Sequence, residues 1–104
     1  MIVEMRTYRA KPGRRDECLR VFCSRVIPAQ VESGMKVLGP FLSIDDADTF
    51  FFMRGFPDRS SHEPMKARFH GGELWTNELK HLLATMLDTY DVVAVEDAET
   101  VIRW

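Results

Sequence analysis

Four residues near the amino terminus alternate in the stretch IVEMRTYR: Ile2, Glu4, Arg6 and Tyr8. In a β-strand that spacing puts all four on one face, so an acid, a guanidinium and a phenol stand in a row. Such a row could orient a polar substrate or share a proton. It suits equally well ion pairs to neighbouring strands or across a subunit interface, which would fix register. Arg54 is a second cation in an unusual setting, because it alternates with Phe50, Phe52 and Phe56. A guanidinium on an aromatic face either binds an anion or pairs with an acid, and Glu4 and Glu96 are the candidate acids.

Three histidines add titratable groups. His62 and His70 flank a short helical stretch and could serve as a general base or as an axial haem ligand. His81, beside Lys80, reads as a surface residue. The only acids close by in sequence are Glu63 next to His62 and Glu73 three residues after His70. No spacing brings three or four metal ligands together, so no metal is expected. Gly71 and Gly72 precede a helix; they could leave N–H groups free for an anion, or simply let the chain turn between two helices. Trp75, with Phe69 and Trp104, could line an aromatic cavity or belong to ordinary core. The resulting candidate set has Tyr8, Arg54 and His70 as catalytic groups. Glu4, Arg6, Phe52, His62, Gly71, Gly72 and Trp75 are its ligand contacts. No nucleophile elbow, phosphate-binding loop or dinucleotide fingerprint occurs, so hydrolysis through a serine and nucleotide binding have no support.

The elements that must position these groups can be read from periodicity. Residues 2–9 form a strand stopped by Lys11-Pro12-Gly13. Its other face, Val3, Met5 and Thr7, suits packing under helices. Residues 14–33 form a helix with Leu19, Phe22, Val26 and Ala29 on one stripe and Arg14, Arg15, Asp16, Glu17, Arg20 and Arg25 on the wet side. Pro28 should kink or end it near Ser24 to Ile27, and Gly34 is a natural stop. On one helix Cys18 and Cys23 have Cα atoms about 8–9 Å apart, beyond the ~7 Å reach of a relaxed disulfide, so both read as reduced thiols.

Lys36 to Ile44 is a second strand whose Pro40 argues for an edge or a bulge. Asp45 to Asp48 turn the chain into a third strand, Thr49 to Phe56, and the two make a hairpin. On this strand Phe51 and Met53 fit plain core packing. Ser60 or Ser61 could cap a short helix running to about Phe69. A second helix covers Leu74 to Leu87 with Trp75, Leu79, Leu82, Leu83 and Met86 on a broad face, and Tyr90 to Glu96 is the last strand.

Composition limits the class. The chain has 104 residues, 45% of them hydrophobic, and 14 Lys+Arg against 16 Asp+Glu for a net charge of −2. That length suits one domain, residues 1–104, and the charge balance gives no reason to expect nucleic acid. The first residues lack a basic segment followed by an apolar one, so no signal peptide is read there. No run approaches the ~18 apolar residues of a membrane span, and a cytoplasmic protein is the expectation.

The order strand, helix, strand, strand, helix, strand is that of an α+β, ferredoxin-like split βαβ repeat: a four-stranded antiparallel sheet with helices on one face. The other face would lie bare. It is too apolar to leave in water, and burial against a second copy, closing a barrel, predicts a homodimer.

Three stretches carry a resemblance: Ile2 to Tyr8 followed by Lys11-Pro12-Gly13; Gly34 to Phe41 with Leu38-Gly39-Pro40-Phe41; and Phe69-His70-Gly71-Gly72-Glu73-Leu74-Trp75, an aromatic-x-Gly-x-x-x-Trp pattern. In this order and spacing the chain resembles NIPSNAP-family domains. The resemblance implies a dimeric α/β-barrel fold, whose superfamily includes cofactor-free monooxygenases, haem-degrading enzymes and stress-response proteins. It implies a fold far more than an activity. The sequence departs from the family in its third strand, where Phe50-Phe51-Phe52-Met53-Arg54 stands in place of a frequent tryptophan. The functions in view are binding of a small apolar or aromatic metabolite, with cofactor-free oxygenase or isomerase chemistry. A non-catalytic homodimeric interaction module and a haem-binding or haem-degrading protein are the alternatives. No cofactor is called for by the first two.

Overall fold

The computed structural model describes residues 1–104. Its strands are β1 (Ile2–Ala10), β2 (Lys36–Leu42), β3 (Thr49–Phe56) and β4 (Leu87–Glu96). They form one antiparallel sheet in the order β2-β3-β1-β4, the ferredoxin-like α+β arrangement. β1 thus lies centrally, with Glu4 directly opposite Arg54 of β3 and Tyr8 opposite both Phe50 of β3 and Tyr90 of β4. β2 is an edge strand, and its register shifts between Leu38 and Phe41, where Gly39-Pro40 interrupts pairing, as a proline without an N–H requires. β4 begins at Leu87, three residues before the Tyr90 expected from sequence.

The first helical rod runs as α1 (Arg15–Val21), a π-helical turn (Phe22–Val26) and α2 (Ile27–Glu32). Pro28 neither ends it nor breaks it. Proline cannot donate to the carbonyl of Ser24, and the ladder widens just ahead of it, with Ile27 N–H bonding to Phe22 O. Gly34, at φ +99°, takes the left-handed backbone that stops the rod. The second layer element is α3 (Arg59–His70), capped by Asp58 and not by the serines after it: Ser61 N–H donates to Asp58 Oδ1 at 2.8 Å, and the hydroxyls of Ser60 and Ser61 donate to the same oxygen. A carboxylate outcompetes a hydroxyl for this role by accepting all three bonds. A further π-helical turn (Trp75–Leu79) leads into α4 (Lys80–Ala84).

The core lies between the sheet and these helices. Phe50, Phe52 and Phe56 are fully buried beneath Cys18, Phe22 and Val26 of the first rod and Met65, Phe69, Leu79 and Leu83 of the others. One expectation is reversed here. The face of β1 that packs under the helices is the polar one: Glu4, Arg6 and Tyr8 are buried, whereas on the open side Val3 is buried, Met5 half-buried and Thr7 exposed. The same holds on β3, where Phe51 and Met53, read as core, are only half-buried on the open face. Polarity argues for the wet side only when charges stay unpaired, and these are paired, as shown below.

The chain after β4 folds back over one end of the open face. Asp97 accepts bonds from the N–H groups of Val101 and Ile102. A methyl on Gly55 would lie 2.6 Å from the Trp104 ring, so the indole sits directly on that glycine. Trp104 is therefore on the opposite side of the sheet from Trp75 and lines no cavity with it.

Candidate functional site

Glu4 is the centre of a buried charge cluster. Its Oε1 accepts from Arg6 Nη1 at 2.5 Å, two residues along the same strand, and from Arg54 Nε at 2.6 Å across the β1–β3 ladder. Its Oε2 lies 2.7 Å from His62 Nε2 and 3.1 Å from Lys66 Nζ, both on α3. Of the sequence alternatives for the row, the ion pairs to a neighbouring strand are present, within the chain, and Arg54 takes Glu4 rather than Glu96. Burial alone would raise the Glu4 carboxyl, but Arg54, the bond from His62 and Arg6 hold it at about 2.

Above this cluster opens a cavity of about 240 Å³ between the sheet and the helices. Arg6, Tyr8, Arg54, His70 and Trp75 line it, together with Phe22, Val26, Gln30, Phe69, Leu83, Leu87 and Tyr90. The volume lies between the ~150 Å³ hole that takes a benzene and the ~300 Å³ lower bound of drug-sized sites. Tyr8 stacks between Phe50, Phe52 and Tyr90, with ring centroids 5.4–5.5 Å apart, and Phe22 meets it edge-on at 5.2 Å. Arg6 Nε donates to Tyr8 Oη at 2.9 Å. The phenol uses a lone pair in that bond, and its own O–H remains free to donate. Burial pushes the Tyr8 pKa up, so the proton stays on. Burial, then the positive field of Arg54, Arg6 and Lys66, pushes His70 down to about 4, so its imidazole is neutral near pH 7. Its ring rests beside Phe69 and Trp75, with centroids 5.3 and 5.0 Å away. A neutral imidazole, a protonated phenol and two guanidinia around one apolar space can take up a proton and hold the resulting anion.

Five of the ten sequence candidates meet at the cavity: Arg6, Tyr8, Arg54, His70 and Trp75. Glu4 lies beneath it and acts through the two arginines. Phe52 is core that supports Tyr8, with no exposed surface of its own. His62 does not line the cavity: its ring packs on Phe56 and borders a separate depression lined by Ile2, Arg59 and β4. Its Nε2, the atom an axial haem ligand would use, is engaged by Glu4, which removes it from the haem reading. Gly71 and Gly72 do not offer free donors to an anion: their N–H groups bond to Ala67 O at 2.8 Å and Phe69 O at 3.2 Å, closing the end of α3. They serve the turn. No group of three His, Cys, Asp or Glu side chains is placed to hold a metal. Cys18 is buried and Cys23 exposed, both as free thiols.

The sequence reading missed Phe22, Gln30, Lys66 and Tyr90. Two signals were present. Phe22, Val26 and Gln30 recur every four residues, so Gln30 is a polar residue on an apolar stripe. His62, Lys66 and His70 share the same spacing and give α3 a basic face aimed at the sheet.

No protein-family model matches the chain, and no curated protein matches it. Solved structures do match. A NIPSNAP domain protein from Burkholderia xenovorans superposes with a TM-score of 0.84 at 19% identity, over 99% of this chain and 100% of that one. A NIPSNAP family protein from Agrobacterium tumefaciens superposes at 0.81 with 18% identity, over 95% and 87% of the two chains. An antibiotic biosynthesis monooxygenase superposes at 0.69 with 19% identity, over 94% of this chain and 99% of that one. The class defined by these likenesses is the ferredoxin-like α+β fold. Within it, the chain has the fold of the NIPSNAP domain proteins, as the three sequence stretches predicted.

Proposed function

We propose that this protein is a homodimer that binds a small apolar or aromatic metabolite in the cavity between sheet and helices. The observation that carries this reading is the cavity itself: aromatic walls over a floor of Arg6, Tyr8 and Arg54. A space built only to be filled would not be lined with buried cations. Tyr8, Arg54 and His70 contact the reacting end of the ligand, Trp75 and Phe22 its apolar body, and Glu4 positions the arginines. Proton transfer is the chemistry these groups suit. His70 removes a proton, Arg54 and Tyr8 hold the anion, and return of the proton at another carbon completes an isomerisation. A cofactor-free oxygenase would use the same anion with dioxygen, and the fold shared with an antibiotic biosynthesis monooxygenase is consistent with that.

The dimer rests on the open face of the sheet. Met5, Phe51, Met53, Phe41 and Val93 share that face by register, and Phe41 and Val93 keep 49% and 57% of their surface exposed. A second copy of the same face buries them by two-fold symmetry.

The cavity reading is tested by filling it. Val26 lines the space, and Val26→Phe adds a ring there. Purified wild-type protein, incubated with a metabolite extract, desalted and then denatured, should release a low-mass compound. The folded Val26→Phe variant should release none. Equal retention by both, or none by either, contradicts the assignment.

A further inference from the structure

Resting on that reading of the cavity, we propose that its ligand is an anion. The ligand carries a carboxylate or enolate oxygen at one end, seated on Arg54 and Tyr8, and an aromatic or apolar body at the other. Arg54 is 1% exposed. Its Nε is spent on Glu4, while its Nη2 is buried with no acceptor in the protein. A buried guanidinium N–H without a partner is costly, more so than a neutral donor. Tyr8 supplies a second donor, since its oxygen already accepts from Arg6 and its hydroxyl donates to no protein group. Across the cavity Gln30, 3% exposed, leaves its side-chain oxygen without a donor, so a ligand hydroxyl or N–H completes that side.

Charge points the same way. The groups gathered around the floor are one carboxylate, Glu4, against Arg6, Arg54 and Lys66. Lys66 also reaches the exposed Glu63 at 3.7 Å, but the two arginines share Glu4 alone. The floor therefore holds one more buried positive charge than it neutralises. An isolated buried charge is expensive, and a monoanion cancels it. A neutral aromatic ligand would fill the same volume and leave both the excess charge and the orphan donor in place. Burial first, and then the field of Arg54, Arg6 and Lys66, lowers the pKa of His70, so this cavity group also feels the positive charge.

The probes are 2-naphthoate and its neutral analogue naphthalene-2-carboxamide, titrated calorimetrically into the intact protein at low salt. The carboxylate should bind at least about tenfold more tightly than the amide, a difference of roughly 1.4 kcal/mol. Arg54→Gln should erase that preference, and Tyr8→Phe should narrow it. Because Arg54→Gln disturbs the Glu4 cluster and could prevent folding, a second readout uses wild-type protein. The His70 ring, followed by NMR through a pH titration, should move to a higher pKa with the carboxylate and stay put with the amide. Equal affinities, an unmoved His70, or an unchanged preference in folded Arg54→Gln overturn the inference. If the amide binds and Val26→Phe abolishes that binding, the cavity reading stands and the anion falls. If neither probe binds at millimolar concentration, both fall together.

Discussion

The two faces of the sheet invert the usual distribution of polarity. The helix-covered face buries Glu4, Arg6 and Arg54 at 0%, 7% and 1% exposure. The open face leaves Met5, Phe51 and Met53 half-exposed and Phe41 and Val93 more so. Each face is unsatisfied in its own way. On the open face the deficit is apolar area in contact with water, which a second copy of the same surface removes. On the covered face it is one excess cation and an orphan donor, which the anionic ligand proposed above would satisfy. A buried ion pair rarely adds stability over apolar residues of the same shape. The function proposed above gives the cluster a role at the cavity, in keeping with perturbed titrating groups gathering at functional sites.

Breaking the covered face should have the largest effect. Glu4→Gln removes the one carboxylate between Arg6, Arg54 and Lys66 and should cost about 3–5 kcal/mol of unfolding free energy, the usual loss on breaking a buried pair. Urea denaturation at pH 7 measures it. The open face should respond differently. Met53→Glu places a charge on the half-exposed apolar surface; the chain should stay folded, with stability changed by less than about 1 kcal/mol per protomer, but sediment as a monomer. A Met53→Glu protein that remains dimeric moves the interface elsewhere.

A pH series probes the covered face directly, through His70 and Glu4. Two groups of the covered face, His70 and Glu4, have folded pKa values below their ordinary ones, as do the carboxylates Asp46, Asp58 and Asp97 elsewhere. His70 falls from 6.5 to about 4 and Glu4 from 4.5 to about 2. For each, the unfolded chain binds the proton first, so stability is full above the ordinary value and drains as pH falls toward the folded one. Stability should decline from about pH 6.5 through His70 and then through Glu4 toward about pH 2. Glu4→Gln should reduce the slope of the lower part of the curve, where Asp46, Asp58 and Asp97 still contribute, and His70→Phe should flatten the upper part. Urea midpoints across this range give the test, and an unchanged curve in Glu4→Gln would show that the carboxylate is not held as described.

Much of the fold was legible because the signals are periodic and local. Alternation marked β1 and β3, Pro40 placed β2 at an edge, and Pro28 marked the spot where the first rod widens. The side of the sheet that carries the helices was not legible. A row of Glu4, Arg6 and Tyr8 reads as wet until its partners are known. Those partners, Arg54 fifty residues on and His62 and Lys66 on α3, come together only through tertiary contact. The same gap explains the site. Tyr8, Arg54, His70 and Trp75 were chosen by residue type and do face one cavity. Gly71 and Gly72 were chosen by type too, but turn geometry uses their N–H groups. Trp104 looked equivalent to Trp75 in sequence, yet the fold-back at Asp97 carries it to the open face.

Native mass spectrometry with added 2-naphthoate tests the division of labour between the two faces most directly. Paired open faces give a species at twice the 12.0 kDa chain mass, and a cavity within each protomer gives two ligands per dimer. That stoichiometry, lost in Val26→Phe while the dimer persists, is the expected result. A monomer, or a dimer holding a single ligand between its sheets, would contradict it.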